Sequence, residues 1–224
     1  MHVPLADKSA NEFFAAITTG DVARVRALLD AEPDLAETTA PDGASAALTA
    51  LCLGWPALAD ELAARAGSLS VFEAAAFDDT DRLAELIQRD PALVRAWSAD
   101  GWQPLHLAAR FGRVEAARML LDADAPAAEA SRNDLLVQPL HAAVAGRHHE
   151  LVWVLIASDV PVDARRHNGS TPLQVAVGNG DVACVQALLA ASADPSLADD
   201  DGLSAIDLAP DDAIRRLLDE ARRD

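Results

Sequence analysis

The chain has 224 residues, of which 51% are hydrophobic but only 4% aromatic, and it contains no tyrosine. Its core must therefore be aliphatic and rich in alanine, whose small side chain permits close helix packing and favours an all-α fold. The formal net charge of −18 disfavours binding to nucleic-acid phosphates or to an anionic membrane surface.

The first residues, "MHVPLADKSANEFF", lack a basic region followed by an apolar core, so no signal peptide is predicted. No uninterrupted apolar run of about 18 residues occurs, so no membrane-spanning helix is predicted. Cys52 and Cys184 are isolated in the sequence, and we expect both to be small buried side chains in a reducing compartment. These features predict a cytoplasmic protein, which we expect to be a monomer.

Two helix pairs are predicted between the N-terminus and Gly67. The segments "FFAAITTGDVARVRALLDAEPDLAE" (13–37) and "DGASAALTALCLGWPALADELAARAG" (42–67) each carry two amphipathic stretches, with Gly20 and Gly54 at the turn between them. The segment 57–66 is predicted to form a helix. The sequence "GSLS" then leads directly into the next amphipathic segment, which leaves no room for a hairpin near positions 67–70.

A third pair, "FEAAAFDDTDRLAELIQRDPALVRA" (72–96), is predicted to turn near Asp78. Three variants of one pattern follow it: "QPLHLAARFGRVEAARMLL" (103–121), "QPLHAAVAGRHHELVWVLI" (138–156) and "TPLQVAVGNGDVACVQALL" (171–189). Their prolines, Pro104, Pro139 and Pro172, recur at a nearly constant spacing. A fourth copy, "SAIDLAPDDAIRRLL" (204–218), continues this spacing with Ala205 in place of the proline.

This pattern resembles the ankyrin repeat family, whose unit of about 33 residues begins Thr-Pro-Leu-His. The resemblance is strongest over residues 99–197 and extends more weakly over nearly the whole chain. It implies an all-α solenoid of about seven stacked helix-turn-helix units with short hairpin-like loops, here called fingers. Residues 1–224 would form a single domain capped by its first and last units. The predicted units are approximately 7–40, 41–67, 68–97, 98–131, 132–165, 166–198 and 199–224, with a finger-less junction near 67–70.

The local structure of one unit follows from residue chemistry. Pro104 suits the first helical turn because it has no amide hydrogen to leave unpaired. Gln103 or Thr171, before the proline, can cap the helix, and threonine is the better cap. Gly112 is predicted to end the first helix because glycine tolerates a positive φ, and the second helix should occupy about 114–121.

The later units are predicted to differ in detail. Gly146 and Gly180 follow Gly112 at equal intervals and are taken as its equivalents. The segment 126–138 is two residues longer than usual, and Leu136 replaces the turn glycine of the other fingers. We therefore predict that this finger is longer and more apolar than its neighbours.

The candidate chemical groups favour structural roles. His106 and His141 would be general bases or metal ligands in an enzyme, but the resemblance implies that this histidine bridges backbone groups of adjacent fingers. Gln174 holds the same position, and an amide can replace a hydrogen-bonding imidazole but not a base. The adjacent histidines of "RHHE" (147–150) point about 100° apart on a helix, so they cannot readily share one metal ion. "ADDDG" (198–202) lacks the alternating acids of a calcium loop.

No nucleophile elbow, phosphate-binding loop or zinc-protease motif occurs in the sequence. We therefore predict a non-enzymatic scaffold that binds another protein, with no cofactor, no metal, no nucleic acid and no membrane as partners. Two alternatives stay open. The charge of −18 would suit an acidic nucleic-acid mimic that sequesters a basic protein, and an enzyme or ligand-binding protein is the other.

The resemblance implies that partner-facing residues lie on the finger flanks and on the exposed side of the first helix of each unit, which together line a concave surface. A small basic spot, formed by Arg165, Arg166 and His167 with Arg147, would receive an acidic segment of a partner or be solvated surface. Carried onto this sequence, the predicted partner-binding residues are Trp97, Asp100, Trp102, Arg110, Phe111, Leu135, Val137, Arg165, His167, Asn168 and Asn179.

Two of the four tryptophans are central to the predicted partner-binding surface. Trp97 and Trp102 flank the turn "SADG" and should lie on facing arms of one finger. They either form an exposed aromatic anchor or pack, partly buried, over a neighbouring finger or helix end. Trp153 is expected to pack on an adjacent helix, and Trp55 is expected to be structural at a helix–helix turn.

Overall fold

The structure, a computed structural model, describes residues 5–222. This part of the chain contains thirteen α-helices, two 3-10 helices (Pro33–Glu37 and Pro91–Arg95) and no β-strand, which confirms the predicted all-α fold. The α-helices are α1 Leu5–Thr19, α2 Val22–Ala31, α3 Ala46–Cys52, α4 Pro56–Arg65, α5 Val71–Phe77, α6 Thr80–Arg89, α7 Pro104–Arg110, α8 Val114–Asp122, α9 Pro139–Ala145, α10 His149–Ala157, α11 Pro172–Gly178, α12 Val182–Ala190 and α13 Asp212–Ala221.

The first helices of the central units begin as their sequences predict. Pro104, Pro139 and Pro172 each occupy the first helical turn. Thr171 caps α11 by accepting a hydrogen bond from the Gln174 amide, and the Gln174 side chain returns a bond to the Thr171 backbone. Gln103 makes no such cap. Its amide instead donates to Arg95 O at 3.3 Å, because its longer side chain reaches past the helix terminus.

The turn between the two helices of each pair uses a left-handed residue. Gly112 and Gly180 have φ values of 68° and 64°, as predicted, and the turn predicted near Asp78 has Asp78 itself in the left-handed conformation, with a φ of 62°. The prediction for Gly146 is wrong, because its φ is −80° and Arg147, at 57°, is left-handed instead. A Cβ at Gly146 would overlap the His148 ring, so this glycine provides space rather than backbone freedom.

Hairpin-like fingers connect most of the pairs. Backbone bonds join Ser98 N to Trp102 O at 2.8 Å and Arg166 N to Ser170 O at 3.1 Å. In the finger of 131–137, the equivalent bond from Ser131 N to Val137 O (2.8 Å) spans two more residues. This confirms the longer finger that the sequence predicts. Similar bonds close the fingers at 40–44 and 199–203.

Leu136 occupies the left-handed position that glycines hold in the other fingers. Its φ is 48°, against 82° for Gly101 and 72° for Gly169. A side chain with a Cβ is strained there, and Leu136 recovers little by burial because it is 47% exposed. The finger therefore keeps an exposed leucine at a cost in stability.

Replacing Leu136 by glycine is expected to stabilise the protein by about 0.5–1 kcal/mol, since relief of the left-handed strain exceeds the entropy that glycine adds to the unfolded chain. Urea denaturation followed by far-UV circular dichroism measures the change. Leu135→Gly is the matched control, because Leu135 is not among the residues with positive φ, and it should destabilise. A loss of stability in Leu136→Gly equal to that of Leu135→Gly would contradict the strain argument.

A short connection joins α4, which ends at Arg65, to α5, which begins at Val71. The fingers on either side of it meet directly, since a Cβ on Gly43 would overlap that of Ala99. Beneath them lies a cavity of about 370 Å³. Its lining includes the acidic side chains of Glu37, Glu73 and Asp100 and the aromatic ring of Phe72.

The core is aliphatic, as the composition predicts, and runs along the stack in two connected clusters. One gathers buried side chains from Phe13 to Leu107, and the other extends from Val71 to Leu218. The last copy of the pattern differs from its prediction, because residues 205–208 form turns and only α13 is helical. Asp207 accepts bonds from the Ser204 backbone and hydroxyl, and Pro210 disfavours a helix before it.

Four single-residue predictions have mixed outcomes. Cys184 is buried as expected, but Cys52 is exposed at the last position of α3. Trp153 is 52% exposed rather than packed on a neighbouring helix, because its neighbour Val152 takes the buried face of α10. Trp55 is structural despite partial exposure, since its ring lies over Gly20, where a Cβ would come within 2.5 Å of the ring atom Cζ2.

Candidate functional site

Adjacent fingers are joined through their backbones. Arg132 N donates to Gly101 O at 2.9 Å, and His167 N donates to Leu135 O at 3.2 Å. A third bond runs from the amide of Asp200 to the carbonyl of Asn168, also at 3.2 Å. These links hold the fingers between residues 98 and 203 as one continuous edge, so side chains on different fingers keep defined relative positions.

Trp97 and Trp102 have different environments, although both contact one histidine. Their ring centroids lie 6.1 and 5.9 Å from that of His106. Trp102 is only 8% exposed and packs into the N-terminal core cluster. Of the two alternatives predicted for Trp102, an exposed anchor or a ring packed over its neighbours, the structure shows the packed ring. Trp97 is half-buried, and the Arg132 guanidinium lies over its ring at 4.2 Å from the centroid.

Exposed apolar side chains lie on the finger that carries Arg132. Leu135 and Leu136 are 45% and 47% exposed at its turn. Val137, which the sequence assigned to the same surface, is half-buried and packs against both core clusters, because it pairs with Ser131 at the base of the hairpin. The prediction of an apolar finger is confirmed at its tip and corrected at its base.

The exposed end of α7 adds a cationic side chain beside aromatic rings. Arg110 is exposed, and its guanidinium lies 5.8 Å from the Trp102 ring centroid and 5.7 Å from that of Phe111. Phe111 is half-buried and follows the last residue of α7. The guanidinium therefore covers the outer side of two rings and leaves its polar edge to solvent.

Two of the predicted binding residues make hydrogen bonds within the protein. The Asn179 side chain donates to Val144 O at 3.4 Å, and its own carbonyl accepts from the Arg147 guanidinium. The Asn168 side chain accepts from the Ser170 hydroxyl at 2.8 Å within its own finger. These bonds hold both half-buried side chains in place, and their contact with a partner stays a prediction.

The predicted basic spot is largely paired within the protein. Arg165 donates to Ala198 O at 2.7 Å and lies 3.7 Å from an Asp200 carboxylate oxygen. Arg166 donates to the Ser170 hydroxyl at 2.6 Å. His167 is exposed and keeps its side chain at the surface. Asp100, on an earlier finger, is half-buried with its carboxylate on the hydroxyl of Ser98.

The signature histidines link adjacent units, as predicted. His106 Nε2 donates to Glu129 O at 3.1 Å, and His141 Nε2 donates to Ser170 O at 3.3 Å. Gln174 makes the equivalent bond to Leu203 O at 2.6 Å. Burial lowers the pKa of both histidines to about 4. The hydrogen bonds to backbone groups favour the charged form and raise the pKa, but this effect is smaller than that of burial. Both rings are therefore neutral near pH 7 and have structural roles.

A family model described as "Ankyrin repeats (3 copies)" matches residues 71–165 and 140–222, which together make up more than half of the chain. The chain belongs to the ankyrin-repeat family. Ankyrin repeats generally mediate protein–protein interactions, and the family is generally non-enzymatic. Within residues 5–222, none of the helices combines the length and the apolar composition needed to cross a bilayer.

Notch proteins are among the relatives of this ankyrin-repeat chain. Neurogenic locus notch homolog protein 4 of Homo sapiens is 35% identical over 163 residues, which are 72% of this chain and 7% of that protein. Neurogenic locus notch homolog protein 1 of Danio rerio is 33% identical over 170 residues, 74% of this chain and 6% of that protein. This chain thus spans less than a tenth of the length of these relatives.

Arg132 was not among the predicted binding residues, although its position in the ankyrin repeat could have indicated it. Trp97, Arg132 and Arg165 follow one another at the same intervals as the three helix-starting prolines. Equivalent positions of stacked units are neighbours in space. An arginine one unit after a tryptophan is therefore placed to cover its ring, and the structure shows this contact.

A second group missed from the sequence lies between two neighbouring repeats. His149 Nε2 is 2.9 and 3.0 Å from the two carboxylate oxygens of Asp181. Asp181 also accepts from the backbone amide of Cys184 at 3.2 Å. His148 points elsewhere, to Arg110 O at 3.0 Å, so the prediction that the adjacent histidines do not converge is confirmed.

Proposed function

We propose that this chain is a non-enzymatic scaffold that binds a partner protein through the finger surface centred on Trp97, Arg132, Leu135 and Leu136. Arg110, Phe111 and His167 extend this surface on either side. The observation that carries the proposal is the Arg132–Trp97 stack beside two exposed leucines on fingers that are joined by backbone bonds.

The physical argument rests on residue type and on rigidity. Tryptophan and arginine are the side chains most enriched at binding hot spots, and exposed apolar groups lose water contact when a partner covers them. A stacked guanidinium and linked fingers need little ordering on binding, so less affinity is lost to conformational entropy. The acidic surroundings would disfavour acidic competitors.

Trp97→Ala is expected to weaken partner binding by about 2 kcal/mol or more, or roughly 30-fold, because it removes the ring that Arg132 stacks on. The measurement is quantitative affinity capture from a lysate of the encoding organism, followed by mass spectrometry and titration of each recovered protein. Leu135→Ala, which truncates an exposed side chain, tests the same surface with little risk to the fold.

Trp153→Ala is the matched control, since it removes an exposed tryptophan from the second helix of a unit rather than from a finger. It should retain the partners that Trp97→Ala loses. Recovery of the same proteins at the same affinity by folded Trp97→Ala and Leu135→Ala would refute the proposed surface. Binding that collapses steeply with added salt and ignores these variants would instead favour the acidic-mimic alternative.

A further inference from the structure

A cluster of three metal-ligand types lies where α10 and α12 begin. His149 is the first residue of α10, Asp181 caps α12, and Cys184 is the third residue of α12. One ligand atom from each residue lies within 4.8 Å of the other two. We propose that His149, Asp181 and Cys184 bind a divalent transition-metal ion of the Zn²⁺ type.

The three ligand atoms are near enough to one another to form a tetrahedral site after small movements, since each lies within 4.8 Å of the other two. Zinc bonds of about 2.0–2.3 Å place the ligand atoms of a tetrahedron roughly 3.3–3.8 Å apart. His149 Nε2 now lies 2.9 Å from the nearer Asp181 oxygen, so an ion needs this pair to separate by less than about 1 Å. The His149 side chain is half exposed and free to make this movement, whereas Asp181 and Cys184 are held in the interface.

The helix cap can persist when the ion is bound. Asp181 Oδ1 accepts the Cys184 backbone amide at 3.2 Å, and both carboxylate oxygens also lie near His149 Nε2, Oδ1 at 3.0 Å and Oδ2 at 2.9 Å. A metal between the imidazole, Oδ2 and the sulfur therefore takes the place of the direct His149–Asp181 bond only. Three protein ligands would leave the fourth tetrahedral position to a water molecule.

The donor set selects the class of ion. A thiolate, an imidazole and a single carboxylate suit Zn²⁺ or Co²⁺, whereas Mg²⁺ and Ca²⁺ prefer oxygen ligands throughout. On binding, the metal replaces the Cys184 thiol proton, which passes to solvent, and the neutral imidazole and the carboxylate bind through lone pairs. The ion also neutralises the thiolate beside the Asp181 carboxylate.

A bound ion would join two neighbouring repeats. His149 and Asp181 belong to successive helix pairs, so the metal crosslinks α10 to α12. A ligand that binds the folded state, and does not bind the unfolded chain, raises the melting temperature. This site is independent of the finger surface, so its test does not depend on the proposed binding function.

The test uses the full chain carrying Cys52→Ser, which leaves Cys184 as the only thiol. Titration with Co²⁺ should produce one near-ultraviolet thiolate-to-cobalt absorption band that saturates at one equivalent and disappears when Zn²⁺ is added. Zn²⁺ should raise the melting temperature. Cys184→Ala should abolish the band, and His149→Gln and Asp181→Asn should each weaken Zn²⁺ binding at least tenfold, as measured by calorimetry.

Asp181→Asn keeps a good helix cap, so it separates loss of metal from loss of folding. His167→Gln removes an exposed finger histidine and should leave Zn²⁺ affinity unchanged. The proposal is overturned if no thiolate–cobalt band forms, if the band survives Cys184→Ala, or if His149→Gln binds Zn²⁺ as tightly as His167→Gln does.

Discussion

Trp102→Ala is expected to destabilise the protein by about 3–5 kcal/mol, because it leaves a cavity in the N-terminal core cluster. The ring also packs on His106 and carries the Arg110 guanidinium on its outer side. The Trp102→Ala variant loses both contacts, so a small movement of the surrounding side chains cannot fill the space that the ring leaves. The free energy of unfolding in urea measures the effect, and Trp102→Phe should recover part of it.

Trp153→Ala is again the appropriate control, since an exposed tryptophan should change the free energy of unfolding by no more than about 0.5 kcal/mol. A cost for Trp102→Ala as small as that of the control would mean that Trp102 is not a core residue. The pair of variants thereby separates the structural tryptophan from those at the surface, which residue type alone does not distinguish.

The second large effect is expected on acidification. His106 and His141 have pKa values of about 4 in the folded protein, lowered by burial, against an ordinary value of 6.5. The unfolded chain therefore binds more protons between pH 6.5 and 4, and stability is full above this window and falls as pH decreases through it. From pH 7.5 to 5, each histidine should cost roughly 2 kcal/mol of unfolding free energy.

The control for this prediction comes from the protein's own repeat. Gln174 occupies the equivalent position and makes the equivalent bond to the next unit. His106→Gln with His141→Gln should therefore preserve stability at pH 7.5 and flatten its dependence on pH between 7 and 5. An unchanged pH dependence in the double variant would show that other groups cause the acid sensitivity.

Because the sequence pattern repeats, much of the fold could be predicted from the sequence. The prolines at 104, 139 and 172 each start a helix, and the left-handed turns at Gly112, Gly180 and Asp78 lie where expected. Such features depend on a few consecutive residues and the helical period, so local sequence is enough to specify them. The bridging role of the signature histidines was likewise predictable, because the family pattern ties them to the next finger.

The turn between α9 and α10 could not be predicted from spacing. Gly146 has the position of a turn glycine, yet Arg147 takes the left-handed backbone. A Cβ on Gly146 would overlap the His148 ring of the same unit, so this position needs a glycine for the space it leaves. Spacing alone does not distinguish a glycine that is needed for its positive φ from a glycine that is needed because a side chain would not fit.

By itself, the sequence determined an all-α stack of repeats, the helix starts at Pro104, Pro139 and Pro172, and an aliphatic core, because these follow from patterns within a single repeat unit. Tertiary structure decided which of two nearby tryptophans is buried, which arginine covers the other, and that His149, Asp181 and Cys184 meet. Each of these outcomes depends on side chains from a neighbouring unit, and only stacking of the units places those side chains against one another.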